Sequence, residues 1–138
     1  MKITASIIGA LVLILVAAAA GFDHLLGSSC VNEILEEFPS PDRAYKAVAF
    51  QRDCGATTGF STQISILRFG RSLDDGSGNI YVADADHGAA PSGPGGGPPV
   101  QVRWTGNRSL SVAGHPQARV FSSKAKYEDV AITYEVAE

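Results

Sequence analysis

The sequence is poor in positive charge and has no basic block. Of its 138 residues, 11 are Lys or Arg and 14 are Asp or Glu, which gives a formal net charge of −3 at pH 7. Nucleic-acid-binding domains cluster Lys and Arg to neutralise phosphates. Because the few positive charges here are scattered along the chain, we expect no nucleic-acid partner.

Recognisable catalytic motifs are also missing. The sequence contains no G-x-S-x-G turn and no G-K-[ST] after its glycine-rich stretch, and the SPD turn typical of a propeller blade occurs once. An α/β-hydrolase needs the first motif, a phosphate-binding loop needs the second, and a β-propeller repeats its blade several times. These absences favour a non-enzymatic protein, so we expect neither a catalytic residue nor a cofactor.

The first 22 residues contain a single charge, Lys2. The uncharged residues 3–22 are long enough for a transmembrane helix, which needs about 20 apolar residues to cross the bilayer core. They also fit a secretory signal peptide, with Ala18 and Ala20 as a small-x-small cleavage site. Both alternatives leave Lys2 on the cytoplasmic side and place residues 23–138 outside the cytoplasm. We therefore expect a protein of the bacterial cell envelope, either anchored in the inner membrane or released as a periplasmic or secreted protein after cleavage near Ala20.

The exported part, residues 23–138, lacks a convincing helical period. Short runs rich in β-branched and aromatic residues alternate with Gly, Pro, Asn and Asp, as around "STQISIL", "VQVRW" and "VAITYEV". The pattern predicts an all-β fold, mainly antiparallel, with about seven or eight short strands in a small sheet or sandwich after one N-terminal hydrophobic helix. The segment "KAKYEDVA" is expected to make at most one helical turn. The predicted strands span residues 32–38, 45–52, 60–69, 79–85, 100–105, 109–113, 118–122 and 130–136.

Gly and Pro are concentrated in "GAAPSGPGGGPP", residues 88–99. Such a stretch cannot pair within a sheet, and we expect it to bury no apolar surface. It is either a flexible tether between two subdomains or a long surface loop. The loop is favoured because the residues that follow are too few for a second core, so residues 23–138 are predicted to form one domain.

Only two cysteines are present, Cys30 and Cys54, in a chain that we expect to be exported. Disulfides form and persist in oxidising compartments. A reactive Cys54 thiol is the alternative, but the neighbouring Asp53 carboxylate would raise the thiol pKa, and no His lies close in the sequence. We therefore predict a disulfide between Cys30 and Cys54.

The spacing of the first two strands supports the same pairing. If the strands on either side of Asp42 form a hairpin centred on this turn, the two cysteines face each other at a separation that a disulfide can span. The same register pairs Ile34 with Phe50 in the core. It also pairs Phe38 with Lys46 near the turn. A slip of one residue would destroy the cysteine pair and the apolar pair together.

A polar patch follows the second of these strands, in "RDCGATTG". Its side chains Arg52, Asp53, Thr57 and Thr58 interrupt an apolar alternation. One interpretation is a Gly-bounded bend, in which a carboxylate cap or an Arg–carboxylate pair and the threonine hydroxyls satisfy polar groups. The other is a binding surface made of these four side chains, with the segment "DADH" nearby if the next two strands are neighbours.

The segment "DADH" offers candidate metal ligands. Asp84, Asp86 and His87 supply two carboxylates and an imidazole, a set suited to a divalent cation. On a continuous strand, Asp84 and Asp86 would share one face. The alternative is a polar strand end that leads into a solvated loop. A small metal-binding protein or metal-dependent enzyme is thus the second functional expectation, with a divalent metal ion as its cofactor.

Four segments, "SPD", "RDCGATTGFST", "IYVADADHG" and "VQVRWTGNRSLSV", extend over most of the exported part. In them the chain resembles a group of small bacterial membrane-anchored or secreted proteins that share an SPD turn and an RDCGATT-type bend. One departure is Arg43, where such turns often carry Gly. The resemblance implies an envelope location and a shared fold, and it implies no reaction.

These observations together predict an exported, membrane-anchored and non-enzymatic module of the cell envelope that binds or interacts with another component. The expected partners are the membrane, through residues 3–22, and an envelope protein.

Overall fold

The computed structural model describes residues 7–18, 30–55 and 58–137. Residues 7–18 form the helix α1, a run of apolar residues without Pro whose large side chains are exposed. In this described part of the chain, no helix combines the length and the apolar character that crossing a membrane requires. The rest of the predicted anchor or signal, including Ala20, lies outside the described residues.

After the helix, the described residues form nine strands and two short 3₁₀ turns. The turns, Asp86–Gly88 and Pro94–Gly96, lie between the fourth and fifth strands. The prediction of a mainly β fold after one N-terminal helix is confirmed, and each of the eight predicted strands matches an observed strand to within two residues. The strands are β1 (Val31–Pro39), β2 (Tyr45–Asp53), β3 (Ser61–Arg68), β4 (Tyr81–Asp84), β5 (Val100–Gly106), β6 (Ser109–Gly114), β7 (Arg119–Ser123), β8 (Lys126–Tyr127) and β9 (Val130–Val136).

The short strand β8 corrects the prediction of a helical turn in "KAKYEDVA". It pairs with the start of β9, with Tyr127 facing Val130. The two residues between them, Glu128 and Asp129, make the turn, and Glu128 adopts a left-handed φ of 49°. In this tight hairpin, the backbone N–H and C=O groups form hydrogen bonds with the neighbouring strand. In a helical turn, they would have formed hydrogen bonds within the same segment.

The strands form two sheets between which the chain alternates. The first sheet has the order β1-β2-β3-β4-β7 and is antiparallel throughout. The second has the order β5-β6-β9-β8, in which β6 and β9 are parallel. The chain leaves the second sheet after β6 to add β7 to the edge of the first. Residues on both sides of the Gly/Pro-rich segment therefore contribute to the first sheet.

One hydrophobic core contains side chains from both sheets. Because side chains alternate along a strand, every second residue of β2, β3 and β4 points into this core. Removal of these apolar surfaces from water is the main force that holds the sheets together. The buried members are Tyr45, Ala47, Ala49, Ile64, Ile66, Ile80, Tyr81, Ala83, Val102, Leu110, Val112, Val130 and Ile132.

The β1–β2 hairpin confirms the predicted disulfide. Cys30 and Cys54 are bonded at the end of the hairpin that lies opposite its turn. Ile34 faces Phe50, as the predicted register requires. Phe50 is buried, but Ile34 is exposed on the edge strand, so the predicted core pair is wrong for Ile34.

Nearer the turn, the register differs from the prediction by one residue. Phe38 faces Ala47 instead of Lys46, because the pairing shifts at Leu35. A β-bulge of this kind inserts one unpaired residue into a strand and bends it. The alternation of apolar residues in this segment gave no sign of the extra residue.

The loop between β3 and β4, residues 69–80, folds over the outer face of the first sheet. The side-chain carbonyl of Gln63 accepts a hydrogen bond from the backbone N–H of Gly78 at 2.7 Å. The Asn79 side chain both donates to and accepts from the backbone of Ile66, at 2.8 Å each. These bonds fix the loop on the sheet and leave one end of the outer face open.

The turns at the opposite end are connected by ion pairs. Arg108, in the β5–β6 turn, binds Asp42 of the β1–β2 turn at 2.7 Å and Asp129 of the β8–β9 turn at 2.9 Å. Tyr45, buried at the start of β2, places its hydroxyl oxygen 2.6 Å from Asp129 and 2.7 Å from Glu128. Since these contacts join residues of both sheets, they hold this end of the molecule together.

The Gly/Pro-rich segment packs closely on the first sheet, which corrects the expectation that it buries no apolar surface. Gly97 and Pro98 are buried, and the Thr62 hydroxyl donates to the Pro98 carbonyl at 2.7 Å. A Cβ on Gly96 would lie 2.7 Å from the Phe60 ring, and one on Gly97 would lie 2.5 Å from Thr62 Oγ1. Glycine is therefore required here by the close approach of the backbone to β3.

Candidate functional site

A cleft of about 510 Å³ lies at the open end of the first sheet. In β4, Val82 and Asp84 alternate with the core residues Tyr81 and Ala83, so their side chains point away from the core and into this cleft. The cleft is built from segments that are distant in sequence. Its lining consists of Thr58, Gly59, Phe60, Ser61, Val82, Asp84, Ala85, His87, Gly88, Gly96, Arg119 and Phe121.

Strand pairing explains why these segments meet. β3 and β4 are neighbours, with Ser61 facing Asp84. On the other side of β4, Arg119 of β7 faces Asp84 as well. The sequence predicts that the polar bend and the "DADH" segment lie near each other if the next two strands are neighbours. The structure meets this condition, and both segments contribute residues to the lining of the cleft.

The bend that follows the disulfide forms one wall of the cleft. Asp53 Oδ1 accepts a hydrogen bond from the backbone N–H of Gly55 at 2.9 Å. The Thr58 hydroxyl donates to the Gly55 carbonyl at 3.1 Å, and Gly55 has a φ of 105°, which favours glycine. These contacts match the interpretation of Asp53 as a cap on the bend. Thr57 lies outside the described residues.

Arg52 holds the β3–β4 loop. Its Nη1 donates to the Asn32 side-chain carbonyl at 2.8 Å and to the backbone carbonyls of Asp75 and Gly76 at 2.6 and 3.0 Å. Among the described members of the predicted binding surface, Thr58 is thus the one that lines the cleft. A contact between Arg52 and a binding partner stays a prediction.

An Arg–carboxylate pair forms the floor of the cleft. Arg119 donates from Nη2 to Asp84 Oδ2 at 2.6 Å and from Nε to Asp84 Oδ1 at 3.2 Å. This bidentate geometry is the strong form of such pairs. The Arg119 guanidinium holds the pKa of the Asp84 carboxyl below its usual range. Asp84 is therefore a fixed anion, which orients the arginine at the edge of the sheet.

The turn after β4 is strained. Asp84 Oδ1 accepts the backbone N–H of Asp86 at 2.9 Å, so the strand ends at Asp84 and the chain turns. Asp86 and His87 adopt left-handed φ values of 45° and 56°. The continuous strand on which Asp84 and Asp86 would share one face is therefore not formed. Such φ values are uncommon for residues other than Gly, although Asp and His adopt them more readily than most, and here they give a tight turn at the end of β4.

The predicted metal ligands are placed around this turn. Within the described ranges, no group of three or more His, Cys, Asp or Glu side chains is arranged to hold a metal ion. Both carboxylate oxygens of Asp84 contact Arg119, which a divalent cation would have to displace. Metal binding by Asp84, Asp86 and His87 stays a prediction.

Two exposed phenylalanines flank the cleft, and sequence reasoning missed both. Phe60 precedes β3 and is 48% exposed, and Phe121 of β7 is 61% exposed. Phe121 is the extra residue of a bulge opposite β4, and the Arg119 guanidinium carbon lies 5.0 Å from the centre of its ring. The adjacent apolar residues of "RVF" break the alternation of a strand, and this was the local signal of Phe121 in the sequence.

No protein family model matches the chain, and neither a curated protein nor a solved structure is detectably similar to it. The resemblance to small bacterial envelope proteins stays a prediction.

Proposed function

We propose that this protein is an exported, non-enzymatic binding module of the bacterial cell envelope, anchored in the inner membrane through residues 3–22, and that the cleft is its binding site. The uncharged N-terminal stretch and the disulfide favour export, because disulfides persist in oxidising compartments. We also infer that the two sheets form a β-sandwich, since side chains of both belong to one core.

One observation carries the functional proposal: the cleft joins exposed aromatic rings to a fixed polar floor. Phe60 and Phe121 line the cleft and are exposed, and exposed aromatic side chains beside oriented polar groups are typical of ligand sites. The polar floor favours binding over catalysis, because Asp84 is held by Arg119 and a general base needs a carboxylate that is free to accept a proton.

The test is capture of envelope components by chemical crosslinking in intact cells that produce the full chain. We expect Phe121→Ala to abolish capture while the thermal midpoint stays unchanged, since exposed side chains contribute little to stability. The matched control is Phe69→Ala, because Phe69 is also exposed, at 39%, lies outside the cleft and also has an arginine, Arg43, over its ring. Equal capture by all three proteins would refute the cleft as the binding site.

A further inference from the structure

The charges of the cleft limit the kinds of ligand that it can accept. Arg119 Nη2 lies 2.6 Å from Asp84, and Arg119 Nη1 lies 3.7 Å from Asp86, so its positive charge is compensated before a ligand arrives. An anionic ligand would have to compete with two carboxylates for one guanidinium. A cationic ligand would have to approach the same guanidinium. The arrangement therefore favours a ligand without net charge.

The polar groups of the cleft are suited to hydroxyl groups. The Arg119–Asp84 pair presents N–H donors and carboxylate acceptors side by side. The hydroxyls of Thr58 and Ser61 donate their protons to backbone carbonyls, and their oxygens can still accept a hydrogen bond from a ligand. A ligand hydroxyl is itself one donor and two acceptors, so a ligand rich in hydroxyls can satisfy both kinds of group at once. A purely apolar ligand would bury these groups without hydrogen bonds, which costs free energy.

The aromatic side chains add apolar walls. Phe60 immediately precedes β3 and Phe121 stands in β7, with β4 between them. Phe60 is level with the end of β4, whereas Phe121 is level with Val82 and Ala83, so the two positions are offset along the strands by two to three residues. With neighbouring strands about 4.8 Å apart and about 3.3 Å per residue along a strand, the two positions are about 13 Å apart. Because the phenylalanine side chains occupy part of that distance, it leaves room for a single six-membered ring. A pyranose ring has an apolar C–H face that packs on an aromatic ring and a rim of hydroxyls that reaches polar groups.

We propose that the cleft binds a neutral saccharide, with a sugar ring between Phe60 and Phe121 and its hydroxyls on Arg119, Asp84 and Thr58. This inference rests on the proposed function, because it names the ligand of the same cleft. The strained turn at Asp86 and His87 contributes to the wall beside the sugar hydroxyls.

The test is isothermal titration of the full chain, kept in a detergent without a sugar headgroup, with two neutral probes. The probes are the β-1,4-linked tetramers of N-acetylglucosamine and of glucose. We expect saturable binding of at least one of them, weakened about tenfold or more by Phe121→Ala and by Phe60→Ala, since aromatic contacts are dominant contributions in such sites. Phe69→Ala is expected to bind as the unchanged protein does. Circular dichroism identifies a variant that has not folded. In that case, the affinity of the other cleft variant is compared with that of the unchanged protein.

Absence of saturable binding of either tetramer up to about 10 mM would overturn the inference. Preferential binding of the anionic tetramer of galacturonic acid, or of an apolar tetrapeptide, would overturn it as well. The capture experiment separates the two levels of the argument. If Phe121→Ala abolishes capture in cells but no neutral saccharide binds, the saccharide is wrong and the binding module stands. If neither experiment depends on Phe121, both proposals fail.

Discussion

Tyr45 is one of the residues that join the two sheets at the end opposite the cleft. The guanidinium carbons of Arg68 and Arg108 lie 4.8 and 5.1 Å from the centre of its ring. Its hydroxyl contacts carboxylates of the β8–β9 turn, which raise the pKa of this tyrosine above its usual range. A cation over an aromatic face is attracted by the ring quadrupole, so Tyr45 links charges of both sheets.

Asp42 makes the same end of the molecule sensitive to acid. Hydrogen bonds from the backbone N–H of Ala44, from Arg108 and from the Ser40 hydroxyl lower the pKa of Asp42 from 3.8 to about 2. Because the pKa is lower in the folded than in the unfolded state, the stabilisation is present above about pH 4 and is lost as the pH falls towards 2. We expect the thermal midpoint to fall more steeply between pH 4 and 2 in the unchanged protein than in Asp42→Asn.

Other carboxylates contribute to this acid sensitivity. The pKa of Asp129 is also lowered, first by the Tyr45 hydroxyl and then by Arg108, and so is that of Asp84 beside Arg119. Asp42→Asn should therefore reduce the acid-dependent loss without removing it. Parallel pH profiles for the two proteins would contradict the assigned role of Asp42.

At the level of elements, the β1–β2 hairpin shows how much could be predicted from sequence. Its turn, the alternation of β2 and the positions of Cys30 and Cys54 are local features, and together they specify the register beside the disulfide. The bulge at Leu35 could not be predicted, because it depends on how the edge strand bends over the rest of the fold.

The disulfide of this hairpin provides a quantitative prediction. Cys30→Ser should lower the free energy of unfolding by about 2–5 kcal/mol, the usual loss for a native disulfide in a small exported domain. Cys54→Ser should cost the same, and the double variant no more than either single one, because all three remove one bond. Urea unfolding measures these differences, and non-reducing peptide mapping checks the bond. A double variant that loses the sum of both single losses would contradict this account.

The cleft shows why the site was less predictable than the strands. The sequence indicated the bend with Thr58 and the segment with Asp84, which are polar interruptions of local patterns. Arg119 completes the floor from a position 35 residues further along the chain, and it does so because β7 returns to the first sheet. That pairing is long-range, and no local alternation specifies it. The same holds for the contact of Gly96 with Phe60, which brings the Gly/Pro-rich segment to the cleft.

On the scale of the whole molecule, the β-rich domain has two different ends. At one end, Arg108 and Tyr45 join the hairpin turns of both sheets through charged groups. At the other end lies the disulfide, and the bend, the turn after β4 and the Gly/Pro-rich segment line the cleft. Such a division gives a firmly held scaffold at one end and a shaped surface at the other, which suits a binding module.

The location of the protein is tested by its intact mass in the membrane fraction of the cells that produce it. A retained anchor predicts the full mass of 14.4 kDa in that fraction. Cleavage near Ala20 would remove about 2 kDa and release the domain, as a signal peptide would require. A mass lower by that amount would contradict the anchor, and full-length protein in the soluble cytoplasm would contradict export altogether.

The central claim, that the cleft is the binding site, is tested most directly by a photo-crosslinking amino acid introduced in place of Phe121 or, in a second variant, in place of Phe69. Both positions are exposed, and of the two, position 121 lines the cleft. Illumination of intact cells should give a discrete covalent adduct from position 121 and none from position 69. The same adducts from both positions, or adducts from position 69 alone, would contradict the account.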